Sequence, residues 1–302
     1  DRLAVALGPA GSARLALNGK VVPRPRWIGR LPVLFVGPED RDQVAGPPAA
    51  RRALLDVLLE QCEPAYHAAL REYRRALRQR NRALGDAATP PEAVEIWEEP
   101  LARAGGELLA RRTQATEALA PRAAAWHREL AGDEGAKALG VAYRATVESA
   151  GTDAKPVGAA AWEDALRAAF AAGRERDRAV GTTLAGPHRD DVALALDGRL
   201  LRHSGSSGEA WTAILALALA SAEHLAAALG RLPLLLLDDV LAALDARRQA
   251  RLLAVLRDLP QALLTATIRP PAVAGQTVFV VESHRILHED RSENRAEREA
   301  RP

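Results

Sequence analysis

The 302-residue chain contains no methionine, a single cysteine and only 4% aromatic residues. One cysteine, Cys62, excludes an internal disulfide framework and any Cys-rich zinc site, which suits a reducing compartment. Scarce aromatics mean that the core is expected to be Leu, Val and Ala, and the 48% apolar content is enough to build a sizeable one. No run of about 18 apolar residues stands out, and the N-terminus lacks a charged-then-apolar signal segment, so no membrane role and a soluble cytoplasmic protein are expected. Lysine is nearly missing as well. Lys20, Lys137 and Lys155 are the only three, and 38 of the 41 cations are arginine, which GC-rich coding explains before any function is invoked. The absent methionine, with Asp1 opening directly onto a strand-like pattern, leads to the expectation of a fragment whose start lies upstream.

What is present divides into three textures. Residues 1 to 22 read as a β-hairpin, because "ARLALNGKVV" alternates around Asn18-Gly19, the strongest two-residue hairpin signal. "LPVLFVGPED" (31 to 40) reads as a short buried strand entering a turn. From about Ala49 to Arg174 the pattern is helical: Tyr66, Leu70, Tyr73, Leu77 and Leu84 form one apolar stripe. Further helical pieces follow, with breaks expected at Pro90-Pro91, Pro100 and Pro121. "AGDEGAKALG" (131 to 140) and the stretch 151 to 158 read as loops. From Gly181 onward the pattern is α/β, with a hairpin at Asp197-Gly198, a helix from about Glu209 to Leu229, and strands at 234–237, "QALLTAT" and "TVFVVES". The last stretch, 286 to 302, is charged throughout and reads as a solvated tail.

The segment "LLLLDDVLAALDARR" raises the question of function. Two carboxylates, Asp238 and Asp239, end a strand greasy enough to be buried, and ionised carboxylates are costly to desolvate without a compensating cation or donors. A buried strand delivering acids to the carboxyl edge of a sheet is the Walker B pattern of P-loop nucleotide hydrolases. There Asp238 would hold Mg²⁺ and Asp239 would polarise the attacking water. By itself the motif fits an exposed Asp-Asp turn equally well. Two neighbours add weight: Asp245 sits six residues beyond Asp239, as in the D-loop of ABC-type ATPases, and Ser206-Ser207-Gly208-Glu209 opens the 209–229 helix like their signature loop. A hydroxyl, a glycine and a helix N-terminus together favour a phosphate, although the same four residues also make an ordinary N-cap.

Three stretches narrow the resemblance: "GPEDRDQVAGPPAARRALLD" with its continuation to Leu84, "TTLAGPHRDDVALALDG" (182 to 198), and "LLLLDDVLAALDARR". They resemble the bacterial RecF family, through Pro38-Glu39-Asp40, Arg51-Arg52 to Asp56, Gln79-Arg80-Asn81 and Gly186-Pro187-His188-Arg189-Asp190-Asp191. The resemblance implies an α/β fold, with an ABC-ATPase-like head lobe (a mixed sheet with flanking helices) and an inserted α-helical arm domain. The expected division is a partial head lobe at 1–38, the arm at 39–180, the rest of the head at 181–285 and the tail at 286–302. It implies an enzyme that binds ATP with Mg²⁺ and dimerises around nucleotide, with Ser206, Ser207, Gly208 and Glu209 acting across the dimer and Asp245 close by. It also implies DNA binding, action with RecO and RecR to place RecA at gaps, and a part in recombinational repair and the SOS response.

The sequence departs from that family in two places. No Gly-x-x-x-x-Gly-Lys-Ser/Thr loop occurs; "LNGK" has Arg14 where the first glycine belongs and Val21 for the Ser/Thr. The chain by itself is therefore expected to bind nucleotide poorly. In the signature, Ala210 and Trp211 stand where the family usually has Gly or Gln and then Arg, which removes a cation. Thr265 and Thr267 occupy the strand end where many ABC-type ATPases carry a histidine; threonine can hydrogen-bond there but cannot take a proton charge.

Arg71, Arg74, Arg75, Arg78, Arg80 and Arg82 crowd one helix against a single acid, Glu72, and could lie along DNA phosphates without reading sequence. Arg51 and Arg52 have a similar standing. No aromatic platform for stacked bases is evident, so duplexes or single-strand/double-strand junctions are the expected DNA. His188 and Arg189 fit either a coupling role between arm and head or a satisfied ion-pair cluster. A chromosome-maintenance ATPase would need a far longer coiled coil than this insertion provides. A non-hydrolysing DNA-binding scaffold with a degenerate ATP site is the alternative from another class.

Overall fold

The structure, a computed structural model, describes residues 1–9, 12–132, 137–147, 155–270, 276–282 and 285–289. The loops expected at 131–140 and 151–158 lie partly outside the described residues, and the charged tail lies mostly outside them.

Strands β1 (Leu3–Leu7), β2 (Ala13–Leu17) and β3 (Lys20–Val21) form an antiparallel sheet. The β2–β3 turn has Asn18 at φ 51° and Gly19 at φ 78°. Those left-handed values are what a two-residue turn needs to match strand twist, and Asn and Gly reach them at least cost. After a single turn, α1 (Arg24–Trp27), comes β4 (Val33–Val36), then a 3₁₀ turn at Pro38–Arg41 and α2 (Asp42–Ala45). Helices α3 (Pro48–Cys62) and α4 (Pro64–Gly85) both start on proline, where the missing N–H costs no helical bond.

A short α5 (Pro91–Glu95) leads into α6 (Glu98–Ala131), 34 residues long. The breaks expected at Pro100 and Pro121 do not occur. Pro100 sits in the first turn, where no i−4 donor is required. Pro121 lies in the interior and forfeits one backbone bond, but Ala115, Leu119, Ala123 and Leu130 around it are buried, and that burial carries the helix through. Next come β5 (Leu139–Arg144), α7 (Gly158–Val180), β6 (Asp191–Leu196), β7 (Arg199–Leu200) and α8 (Leu201–Ser204). Strand β5 falls in a stretch read as helical and loop, yet it alternates Leu139, Val141 and Tyr143 inward and pairs antiparallel with β6 along its whole length.

The chain then forms α9 (Ser207–Leu229), β8 (Leu234–Asp238), a 3₁₀ turn at Val240–Ala243, α10 (Ala246–Arg257), β9 (Ala262–Thr265), and the hairpin β10 (Val278–Glu282) and β11 (Arg285–Glu289). Helix α9 is long and apolar enough to cross a membrane by length and composition alone. It is instead a core helix, with Trp211 through Ala222 buried in unbroken sequence against α6, β4 and the turn after β8. Sheet β4-β8-β9 is parallel, in the register Phe35↔Leu236↔Leu263, so three strands end together at Gly37, Asp238 and Thr265. The fold is mixed α/β, with parallel and antiparallel sheets flanked by helices, and α6 packs on α4 and α7 as well as on α9.

Candidate nucleotide site and arm junction

The carboxyl edge of the parallel sheet carries the paired acids. Asp238 is the last residue of β8, and its Oδ1 accepts the Thr265 hydroxyl at 2.5 Å from the neighbouring strand. The same Thr265 Oγ1 receives the Asp239 N–H at 3.1 Å, so one threonine ties both acids to β9. Asp239 has left the strand: its φ of 51° turns the chain out of the sheet, a conformation that Asp tolerates better than most residues. Its Oδ1 is buried and has no hydrogen-bond partner among the described residues. A buried carboxylate oxygen without a donor is unfavourable by a few kcal/mol, so this edge is built for a cation or a positioned donor. That donor set, two carboxylates and a hydroxyl, fits a hard divalent cation such as Mg²⁺.

The signature segment stands at the start of α9. Ser206 is the N-cap, its Oγ accepting the Glu209 N–H at 3.3 Å, while Glu209 Oε2 accepts the Ser206 N–H at 2.8 Å in a reciprocal capping box. Lys137 donates to the other Glu209 oxygen at 2.6 Å, and these bonds pull the Glu209 carboxyl down to about 2. Asp245 caps α10 by accepting the Arg248 N–H at 2.9 Å, which lowers its pKa, and pairs with the Arg248 guanidinium at 3.3 Å. Arg248 reaches on to the signature: a Cβ added to Gly208 would come within 2.7 Å of its Nη1. Trp211, where the family's arginine is usual, is 7% exposed and belongs to the core. The cations beside the loop are therefore Arg248 of α10 and Lys137. Arg251, one turn further along α10, donates to the carbonyls of Leu130 and Ala131 at the end of α6.

A second polar cluster sits where arm meets head, and most of it was not visible in the sequence. Arg112 of α6 donates to Asp56 Oδ1 (2.7 Å), Tyr66 Oη (2.8 Å) and the Pro187 carbonyl (2.8 Å). Tyr143, its phenol kept protonated by burial, donates to Asp190 Oδ2 at 2.7 Å, and Thr146 supplies two more donors to Oδ1. His188 accepts the Tyr73 hydroxyl on Nδ1 at 2.7 Å and donates from Nε2 to the Thr183 carbonyl at 3.0 Å. Burial, with Arg189 and Arg52 nearby, lowers its pKa to about 4, so it is a neutral link. Both ring nitrogens of His188 are thus partnered, whereas Arg189 is exposed, with Nε 3.4 Å from the Thr183 carbonyl.

Three arginines grouped with the DNA face need correction. Arg80 is 0% exposed, donating to Asp177 and Thr183 at 2.7 Å and to Glu98 at 3.1 Å, with Phe170 beneath it at 5.2 Å. Arg51 is 5% exposed and bidentate on Asp191 at 2.6 and 3.0 Å. Arg52 is half-buried and donates to the Asp190 carbonyl at 2.6 Å. The buried, paired guanidinia of Arg80 and Arg51 are not available to phosphate, and Arg52 has one N–H engaged. Arg71, Arg74, Arg75 and Arg78 do remain exposed and line one shallow hollow of about 470 Å³ on α4, with Glu72 the only acid. Arg74 also reaches Asp56 at 3.1 Å, joining that face to the junction.

No protein-family model matches the chain. Among curated proteins, it is 40% identical over 290 residues to the DNA replication and repair protein RecF of Frankia alni, covering 92% of this chain and 76% of that protein. It is 42% identical over 283 residues to RecF of an Anaeromyxobacter species (92% and 74%) and 39% identical over 271 residues to RecF of a Synechococcus species (88% and 70%). Among solved structures, the recombination mediator protein RecF-ATPrS in the RecFOR pathway superposes with a TM-score of 0.80 at 24% identity, covering 95% of this chain and 76% of that one. Its RecF-ATP counterpart gives 0.78, also at 24% identity, over 93% and 74%.

Proposed function

The chain belongs to the RecF family of DNA replication and repair proteins, and from that premise we propose that it carries the acidic edge and the signature loop of an ATP-driven, DNA-binding repair protein. The observation that carries the reading is Asp239 Oδ1, buried and unpartnered beside Asp238 at the end of a parallel sheet. Asp238 and the Thr265 hydroxyl would hold Mg²⁺ at that edge. Bound Mg²⁺-ATP supplies the phosphoanhydride bond whose hydrolysis resets the protein. Asp239 orients and deprotonates water, the role its free oxygen suits.

The loop Ser206-Ser207-Gly208-Glu209 faces nucleotide held by a second copy. Ser206 and Glu209 are occupied in the capping box, so the Ser207 hydroxyl and the first amides of α9 are the phosphate donors. Arg248, held by Asp245 against Gly208, replaces the cation lost at Trp211. Dimerisation on ATP then joins two such half-sites. DNA lies along Arg71, Arg74, Arg75 and Arg78 as a duplex or a junction, bound through its phosphates. Work with RecO and RecR to load RecA at gaps, in the cytoplasm and under the SOS response, follows from family membership. The second reading, a non-hydrolysing scaffold, rests on one observation: no Gly-x-x-x-x-Gly-Lys-Ser/Thr loop occurs in the 302 residues, so no phosphate cradle can be assigned to them.

The test is ATP turnover by the full product of the gene. Asp239→Asn should lower kcat by about 10²- to 10⁴-fold, the usual worth of a positioned base, while ATP-dependent dimerisation survives. An unmodified gene product that never hydrolyses ATP establishes the scaffold reading. For DNA, Arg74→Ala with Arg78→Ala should weaken binding to every duplex alike and reduce the salt slope by about 2. An unchanged slope removes α4 as the DNA surface.

A further inference from the structure

Three side chains of unlike chemistry converge where the α3–α4 corner meets the last third of α9. Cys62 ends α3, Glu63 joins it to α4, and His224 projects from α9; their ligand-type atoms all lie within 4.8 Å of one another, and each residue is half-buried. We propose that Cys62, Glu63 and His224 form a binding site for a divalent transition-metal ion of the Zn²⁺ type, with water as the fourth ligand. A thiol, an imidazole and a carboxylate are the donor mixture that zinc accepts and that magnesium or calcium does not.

Bond lengths of about 2.0 to 2.3 Å put the donors of a tetrahedral zinc roughly 3.3 to 3.7 Å apart, so the three atoms need to close by at most about 1.5 Å. Side-chain rotation at Cys62 and His224 covers that distance without moving a helix. Two of the three donors have no partner outside their own helix among the described residues. The Cys62 thiol meets only carbonyls of its own helix, Leu58 at 3.4 Å and Leu59 at 3.9 Å, and the hydrogen bonds of the described residues include none to the His224 imidazole. Glu63 is ion-paired with Arg111, but a monodentate ligand uses one oxygen and leaves the other for the guanidinium.

The charges also balance. A thiolate and a carboxylate neutralise the dication, while the cations nearby have acids of their own, Arg111 with Glu107 and Arg122 with Glu223. Binding displaces the thiol proton to solvent, so one proton is released per ion. The ion ties the α3–α4 corner of the arm to the helix whose first turn is the signature loop, at a position 15 residues and more beyond that loop.

The experiment is titration of the chelator-treated full chain with Co²⁺, reading the thiolate-to-cobalt charge-transfer absorption, followed by Zn²⁺ displacement. One equivalent should bind with that band. Cys62→Ser should abolish the band, and His224→Ala should weaken binding at least tenfold, both in proteins whose circular dichroism matches the parent. Zn²⁺ should raise the Tm of the parent and leave that of Cys62→Ser unmoved. No charge-transfer band, or cobalt and zinc binding unaltered in Cys62→Ser and His224→Ala, overturns the site.

Discussion

The buried acids at the arm–head junction and the acids at the sheet edge belong to the same residue type and live under opposite rules. Asp56, Asp177 and Asp190 each meet two or more donors: Asp190 alone takes Tyr143 and both the amide and the hydroxyl of Thr146. Asp239 turns an oxygen inward with nothing to meet it, and Asp238 is held by one hydroxyl. Satisfied carboxylates of the first kind fix one arrangement of the chain, because breaking any pair strands a buried charge. Carboxylates of the second kind keep capacity in reserve for something that arrives. By that contrast Asp190 of the Gly-Pro-His-Arg-Asp-Asp motif has its bonding filled from within the fold, and the acids after the four leucines do not.

The sharpest way to break the comparison is Arg112→Ala. It leaves Asp56 underpaired and the Pro187 carbonyl bare, so unfolding in urea should lose about 3 to 5 kcal/mol. A loss below about 1 kcal/mol would mean that the junction is held by its apolar contacts alone. The next effect is graded by pH. His188 titrates at about 4 in the fold against the ordinary 6.5, so between those values the unfolded chain binds the extra proton. Stability is full above pH 6.5 and falls as pH drops toward 4, by roughly 3 kcal/mol for this group. His188→Asn should flatten that part of the curve, and an unflattened curve would locate the acid sensitivity elsewhere. The smallest effect is expected at the edge. Asp239→Asn keeps a residue type that accepts φ near 50° and removes an orphaned charge, so stability should change by less than about 1 kcal/mol. Asp190→Asn should cost about 1 to 3 kcal/mol in the same assay. Equal losses at the two positions would erase the distinction.

Much of this contrast could be read before the structure, for reasons that differ by element. The hairpins at Asn18-Gly19 and Asp197-Gly198 were legible because two left-handed residues in a row demand those residue types; Asp197 and Gly198 sit at φ 47° and 77°. The strand 234–237 was legible because four leucines in a row end at two acids. Strand β5 was missed because six residues beside a loop carry too little pattern, and its evidence is its pairing with β6, about 50 residues away. Periodicity put Arg80 on the outer face for a related reason: its partners, Asp177 and Glu98, are far off in the chain. Arg51 was misread in the same way. Charge shows in a sequence and pairing does not, whereas Asp238, Asp239 and Thr265 lie at the ends of strands that the sequence does delimit.

Helix α6 has a mechanical consequence. It rises about 51 Å at 1.5 Å per residue, and arginines clamp it along its length: Arg80 and Arg174 on Glu98 at its first turn, Arg112 near the middle, and Arg251 on its last carbonyls. A rod fixed at three stations behaves as a crankshaft. The same rod links the helices around its first turn to α10, the helix that Asp245 caps and that carries Arg248. Pro121 interrupts the hydrogen-bond ladder between the second and third clamps, so a bend in that shaft is cheapest there, between Arg112 and the carbonyls that Arg251 holds.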